Sequence, residues 1–330
     1  MPAKSRAPVA RRGLAALLGM TLASVLSAPV SAGCGDVRDG FESGRLDPAN
    51  WLEKQLYNNQ IAVERTDMSE GIAARLFVEP GDRACGGSCQ RNEIRIANHK
   101  RCLFGEDVWY RFRFRIEGTI PSPGSVRWVI GQWKQESGGS PFLAQRFDNG
   151  VFHITVQHNR NRVLVTKAEG NPNARGDGRP DQVGFMDHTR RIRLASLGRS
   201  ETGPVNPRVD RRPFEVFMFR DTTTGTSGTD IRVELGADPV LPDPQTDWVD
   251  MTYRVRGGRD GNGLIEIWAN GVFKARVTGT IGNHDSVGPT QYFKFGHYRD
   301  IHPTFGTASY YFDDFVRSRD RAAVFGPSGE

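Results

Sequence analysis

The sequence predicts an all-β chain, an antiparallel β-sandwich of the jelly-roll type, and three observations carry that expectation. From Ile61 onward, short runs of alternating apolar and polar residues follow one another, the two-residue period of strands buried on one face. Asp148-Asn149-Gly150 and Ala269-Asn270-Gly271 stand between such runs, and Asn-Gly supplies the positive φ angles of a tight hairpin. Outside residues 1–32 no stretch of useful length keeps a helical period, and no repeat of solenoid length occurs.

The first 32 residues have a basic start, an apolar run from Leu14 to about Leu26 and small residues ending in Val30, Ser31 and Ala32. This is the pattern of a secretory signal, too short to span a membrane comfortably. Cleavage after Ala32 is expected, giving a secreted or periplasmic bacterial protein. The alternative, acylation of Cys34 as a lipoprotein, is disfavoured because Ser31 stands where such signals carry an aliphatic residue. The even set Cys34, Cys85, Cys89 and Cys102 then predicts two disulfides, which would staple the N-terminal segment and the CGGSC turn to the body. Its spacing is a poor match to a zinc site.

The remainder, 33–330, reads as a single domain, since no linker separates two cores. Its strand-like runs are, in order, ARLFVEP, NEIRIA, DVWYRFRFRIEG, VRWVIGQWKQ, FLAQRF, VFHITVQ, RVLVTKA, FEVFMFR, DIRVEL, WVDMTYRVRGG, LIEIWA, VFKARVTG, QYFKFGHYRD and SYYFDDFVRSR. Residues 169–213 break the series as a long insertion or flap, rich in Pro, Gly and Arg and longer than ordinary connections. The whole chain carries a net charge of +6, which favours polyanionic partners. Lys4, Arg6, Arg11 and Arg12 belong to the removable segment, so the mature chain is only mildly basic, about +2. An exported chain without a nucleic-acid-binding fingerprint is expected to meet acidic polysaccharide, not nucleic acid, as a monomer.

Three strands concentrate polar groups on one face. In QRNEIRI, Ile94 and Ile96 share the core side, so Arg91, Glu93 and Arg95 point the other way. In VRWVIGQWKQ, Gln132 and Lys134 share a face roughly 7 Å apart. In QYFKFGHYRD, Phe293 and Phe295 read as core, which leaves Lys294 and Tyr298 on the open face, roughly 13 Å apart, with Gly296 between them. Each face alone is ordinary solvated surface. Together they describe a sheet lined with Arg, Gln, Lys and Tyr.

RNEIR, GQWK and YFKFGHY, in that order within a jelly-roll pattern, resemble the three motif strands of the polysaccharide lyases of the alginate lyase, heparin lyase I and glucuronan lyase type. The resemblance extends from GFESG near residue 40 to YYFDDFVRSR. It implies a concanavalin-like jelly roll with a concave sugar-binding sheet and cleavage of a uronic-acid polysaccharide by β-elimination, with no required cofactor. By resemblance, the catalytic residues are Arg91, Gln132, Tyr298 and the residue at 134. There the sequence departs from the family pattern, Gln-x-His, by placing Lys134.

The reaction explains these residue types. A group neutralises the uronate carboxylate, a base takes the C5 proton and an acid serves the departing oxygen at C4. Arg91 and Gln132 are donors for charge that builds on the carboxylate, and Tyr298 is the acid. Lys134 acts either as a neutral amine base or as an ammonium that binds the carboxylate while Tyr298 makes both proton transfers; the second is favoured, because a lysine pKa must fall several units before much neutral amine exists at pH 7. Lys294, Arg95, Glu93, His153 and Arg299 are expected to bind substrate. His153 and His297 are reserve bases whose first reading is structural, and His297 has the strand parity of the core phenylalanines. Asp313 and Asp314, with Asp39 and Glu42, are weak candidates for a structural calcium. Hydrolysis is disfavoured, because no strand convincingly pairs two carboxylates. The competing reading is a catalytically silent carbohydrate-binding jelly-roll module that kept the polar face.

Overall fold

The computed structural model describes residues 33–54, 61–65, 71–118, 128–136, 139–148, 150–158, 161–170, 231–283, 288–301 and 306–326, with four short strands between 186 and 219. The proposed signal segment and most of the 169–213 insertion lie outside the described residues. Residues 32–330 form one compact unit.

In chain order the strands are β1 (Val37–Asp39), β2 (Trp51–Lys54), β3 (Ile61–Arg65), β4 (Ile72–Val78), β5 (Cys89–Ile96), β6 (Cys102–Leu103), β7 (Val108–Gly118), β8 (Trp128–Gln135), β9 (Leu143–Asp148), β10 (Val151–His158), β11 (Asn161–Lys167), β12 (Met186–Asp187), β13 (Arg190–Arg191), β14 (Arg193–Leu194), β15 (Val216–Phe219), β16 (Ile231–Leu235), β17 (Val249–Arg256), β18 (Gly258–Ala269), β19 (Val272–Ile281), β20 (Thr290–Asp300) and β21 (Ala308–Ser318). One sheet runs β15-β16-β19-β18-β17-β7-β21-β4-β3, with β1 added on β21. The other runs β14-β11-β10-β9-β8-β20-β5-β2, with β6 on β20. Pairing within both is antiparallel except for the short parallel β11–β14 ladder. This is the jelly-roll sandwich that the alternating runs predict.

The core lies between the sheets and is mainly aromatic. Phe293 and Phe295 of β20, Trp133 of β8 and Phe112 of β7 are all at or near zero exposure. Trp133 and Phe293 have ring centroids 4.6 Å apart, and Phe112 stacks on Phe293 at 5.4 Å. Because side chains alternate along a strand, fixing Phe293 and Phe295 inward turns Tyr292, Lys294 and Tyr298 outward. The aromatic layer therefore sets the orientation of the polar face above it.

Local turn chemistry follows the sequence. Asn270 and Gly271 adopt φ of 50° and 76°, as a two-residue hairpin between β18 and β19 demands. Two strands early in the chain, β1 and β2, were not legible as runs. Trp51 of β2 is held by packing against Phe315, with centroids 4.9 Å apart, and by donating from its indole nitrogen to Asp39 at 2.6 Å.

All four cysteines are oxidised, as Cys34–Cys102 and Cys85–Cys89. The first bond spans 68 residues, and closing a loop of that length removes about 4 kcal/mol of unfolded-state entropy in the chain-entropy account. It pins the start of the domain beside β6, which pairs with β20.

Candidate active site

The site is built from three neighbouring strands, β8, β20 and β5. Their register places Gln132, Lys294 and Arg95 in one row across the sheet, Lys134 and Tyr292 in the next, and Tyr298 opposite both Arg91 and Val129. Directly opposed residues share a face. Arg91, Glu93, Gln132, Lys134, Lys294 and Tyr298, drawn from motifs about 200 residues apart, thus come together on the outer face of one sheet.

Glu93 is the centre of this arrangement. It is 1% exposed and faces Gly296 across the β5–β20 ladder, so no side chain opposes it from β20. Arg91 Nε donates to one carboxylate oxygen at 2.6 Å and Lys294 Nζ donates to the same oxygen at 2.9 Å. Gln132 Nε2 donates to the other oxygen. Burial alone would raise the pKa of Glu93; the charges and hydrogen bonds of Lys294 and Arg91 more than offset it and hold the carboxyl below its ordinary range. Glu93 was expected to contact substrate. It is instead a buried anchor for donors from three strands, because its two oxygens already serve three donors.

Gly296 makes this packing possible. Its φ is 122°, and a Cβ there would collide with the backbone oxygen of Asn92. The same segment carries a bulge, with the β20–β8 register shifting between Phe295 and Tyr298, a device that re-aims side chains next to functional sites. Beyond the bulge, the guanidinium carbon of Arg91 lies 4.5 Å from the centroid of the Tyr298 ring, within cation–π range.

Lys134 is half-buried and makes no ion pair or hydrogen bond among the described residues. Burial first, then the like charges of Lys294 and Arg91, push its ammonium down to about 8, with Glu93 acting in the opposite direction. Lys294 is also pushed down by burial, and its bond to Glu93 works against the shift.

Of the other expected residues, Arg299 is placed differently, whereas His297 is on the core side as its strand parity predicts. Arg299 is fully buried on the interior side, donating to Gln90 at 2.7 Å and to the Gly306 carbonyl at 2.7 Å. It does not join the polar face, because it shares parity with His297 and the core phenylalanines. His297 is likewise interior: it accepts from the Trp128 indole at 3.2 Å and its other ring nitrogen meets the Leu76 carbonyl at 3.1 Å. Burial drives its pKa to about 3, which is a structural role. His153 stands opposite Arg146 and Lys167, two strands away from β8, and is fully buried. Its Nδ1 meets the Val151 carbonyl at 3.1 Å.

The calcium candidates sit at a second bulge, between Asp313 and Val316 of β21. Asp313 accepts from the Asp314 backbone at 2.7 Å and Asp314 pairs with Arg113 at 3.4 Å. Asp39 is engaged by the Phe41 backbone and by Trp51. Burial, aided by Asp314 and Glu42, raises Asp313 to about 6. Among the described residues no three of these carboxylates converge on one point.

A family model described as polysaccharide lyase matches residues 41–316. Among solved structures, the chain is similar to the endo-β-1,4-glucuronan lyase of the fungus Trichoderma reesei, with 14% identity, 85% of this chain and 95% of that chain covered, and a TM-score of 0.49. It is also similar to a family 7 alginate lyase in complex with product, with 14% identity, 85% and 98% covered, and a TM-score of 0.43. A third is the alginate lyase from Corynebacterium sp., with 12% identity, 83% and 96% covered, and a TM-score of 0.40. No curated protein matches the chain by sequence.

Proposed function

The chain belongs to the polysaccharide lyase family, and from that premise we propose that it is an exported enzyme that cleaves a uronic-acid polymer, glucuronan-like or alginate-like, by β-elimination. One observation carries this reading: Glu93 gathers Arg91, Gln132 and Lys294 beside Tyr298 on one face. A silent binding module needs cations, but it has little need for a tyrosine held against one of them. The two disulfides suit an oxidising compartment, and among the described residues no helix is long and apolar enough to cross a membrane.

In this mechanism Arg91 and Gln132 face the uronate carboxylate. Arg91 spends only Nε on Glu93 and keeps its terminal nitrogens as donors, and Gln132 retains a second amide hydrogen. Their fixed positions stabilise the charge that develops when the C5 proton leaves. The electron pair of that C–H bond becomes the C4–C5 double bond, the C4–oxygen bond breaks, and Tyr298 gives its proton to the departing oxygen. Lys134 is assigned as the base. Its pKa near 8 leaves roughly a tenth of it neutral at pH 7, enough for proton abstraction without the histidine of related motifs.

The pH dependence has a definite sign. The base must be neutral, so kcat/KM falls about tenfold per pH unit below pH 8 and levels off above it. If the ammonium form were the working one, activity would instead decline through pH 8. A pH profile of the parent and of Lys134→Ala, followed by absorbance of the unsaturated product, separates the two. The reaction itself is tested by a panel of glucuronan, alginate, heparin-like chains and mixed exopolysaccharides. At least one should give an ultraviolet-absorbing product; binding to several without product would favour the silent module.

A further inference from the structure

The layer beneath the polar face changes character along the motif strands. Under Glu93 and Lys294 it is apolar: Ile94 of β5 and Phe295 of β20 oppose each other on the inner side, both at zero exposure. Under Arg91 and Tyr298 it becomes polar. There the inner pairs are Asn92 with His297 and Gln90 with Arg299, each residue 3% exposed or less. Three of these side chains cross the sandwich to β4 of the other sheet and the residue that follows it. His297 Nε2 donates to the Leu76 carbonyl at 3.1 Å, Asn92 Nδ2 to the Phe77 carbonyl at 2.9 Å and Gln90 Nε2 to the Glu79 carbonyl at 2.5 Å. Arg299 completes the set. It donates to Gln90 and to the Gly306 carbonyl, both at 2.7 Å, and its guanidinium carbon lies 5.3 Å from the centroid of the Trp128 ring, whose indole donates to His297. A buried polar layer costs desolvation that apolar side chains avoid; what it supplies in return is one directionally fixed arrangement.

We propose that Gln90, Asn92, His297 and Arg299 are positioning residues, a clamp between the two sheets that fixes the backbone on both sides of Tyr298 and so holds its hydroxyl in place beside Arg91. The bulge gives the clamp its purpose. Between Phe295 and Tyr298 the register with β8 shifts, so the ladder alone does not fix the chain there, and directional bonds from His297 and Arg299, the two neighbours of Tyr298, replace it. On β5 the residues on either side of Arg91, Gln90 and Asn92, are held in the same way. The inference rests on the lyase reading above and deepens it: none of the four touches substrate, and each acts through the acid and the arginine that stand over it.

The test measures kcat, KM and melting temperature of full-chain variants on the responsive polymer. Arg299→Met should lower kcat about a hundredfold, the scale of a misplacement of about 1 Å, with KM within about threefold. Asn92→Leu, which removes one bond to β4 with little change in size, is the milder second variant and should lower kcat about tenfold. Arg317→Met is the control. Arg317 is as deeply buried, at 1% exposure, and holds the carbonyls of Lys100 and Gly35 from β21 of the other sheet; its loss should lower the melting temperature comparably yet leave kcat within about twofold. In a Tyr298→Phe background, Arg299→Met should cost less than about twofold more, because a residue that acts through the phenol then has nothing left to position. A second readout is independent of turnover: in a chain isotope-labelled at tyrosine Cζ, the resonance that Tyr298→Phe removes should shift or broaden in Arg299→Met and Asn92→Leu and stay in place in Arg317→Met. An undiminished loss in the Tyr298→Phe background, or an unmoved Tyr298 resonance, would overturn the clamp. If no polymer in the panel were cleaved, the lyase reading would fail, while that resonance would still decide the positioning.

Discussion

Phenylalanine at Tyr298 should lower kcat on the responsive polymer by about a thousandfold, with KM changed no more than about threefold, since a positioned general acid contributes roughly 10²–10⁴ to rate. The asymmetry follows from the geometry. Arg91 sits over the ring, with 4.5 Å between guanidinium carbon and centroid, and that contact survives removal of the hydroxyl. Binding is therefore kept while the proton for the departing oxygen is lost. Initial rates of unsaturated product, together with calorimetric affinity for an intact oligomer, decide the matter. A variant that still turns over at a tenth of the parent rate would remove Tyr298 from the reaction.

Glu93→Ala should be the most destabilising single change on the polar face. It leaves Lys294, 4% exposed, and Arg91 without their carboxylate and Gln132 without its acceptor. Breaking a buried pair by removing one partner costs about 3–5 kcal/mol, which corresponds to a drop on the order of 10 °C in melting temperature for a domain of this size. The pH dependence provides a check. Because the folded carboxyl is held below its ordinary value, its stabilisation is present above the unfolded pKa, near 4.5, and drains away as pH falls through the folded one. The gap between parent and variant should therefore be full at pH 7 and narrow in acid. A gap that stays constant with pH would mean that the loss is one of packing, not charge.

Much of this architecture is readable from the linear chain because strand parity is a local property. Phe293 and Phe295 are apolar, so Lys294 and Tyr298 must turn the other way, and the same logic places Arg91, Glu93 and Arg95 opposite Ile94 and Ile96. It was also enough to place His297 with the core phenylalanines. Arg299 shares that parity, and it is buried against Gln90 and Gly306 instead of meeting substrate. The role of Glu93 was not readable in the same way. Parity gave its face, but its engagement by three donors depends on the absence of a side chain at Gly296 across the ladder, and cross-strand register is not written in either strand alone.

The two-residue hydrophobic period and the Asn-Gly turns are enough to specify the sandwich and the residue types that stand outward on each motif strand. Who meets whom is settled by register between strands: Arg91, Gln132 and Lys294 converge on one buried carboxylate, Arg101 joins Arg95 around Tyr292, and Lys134 makes no ion pair or hydrogen bond among the described residues. The physical reason is that orientation within a strand follows from backbone geometry over a few residues, whereas ion pairing and desolvation depend on register between strands that are distant in the chain and fixed by the aromatic core beneath them.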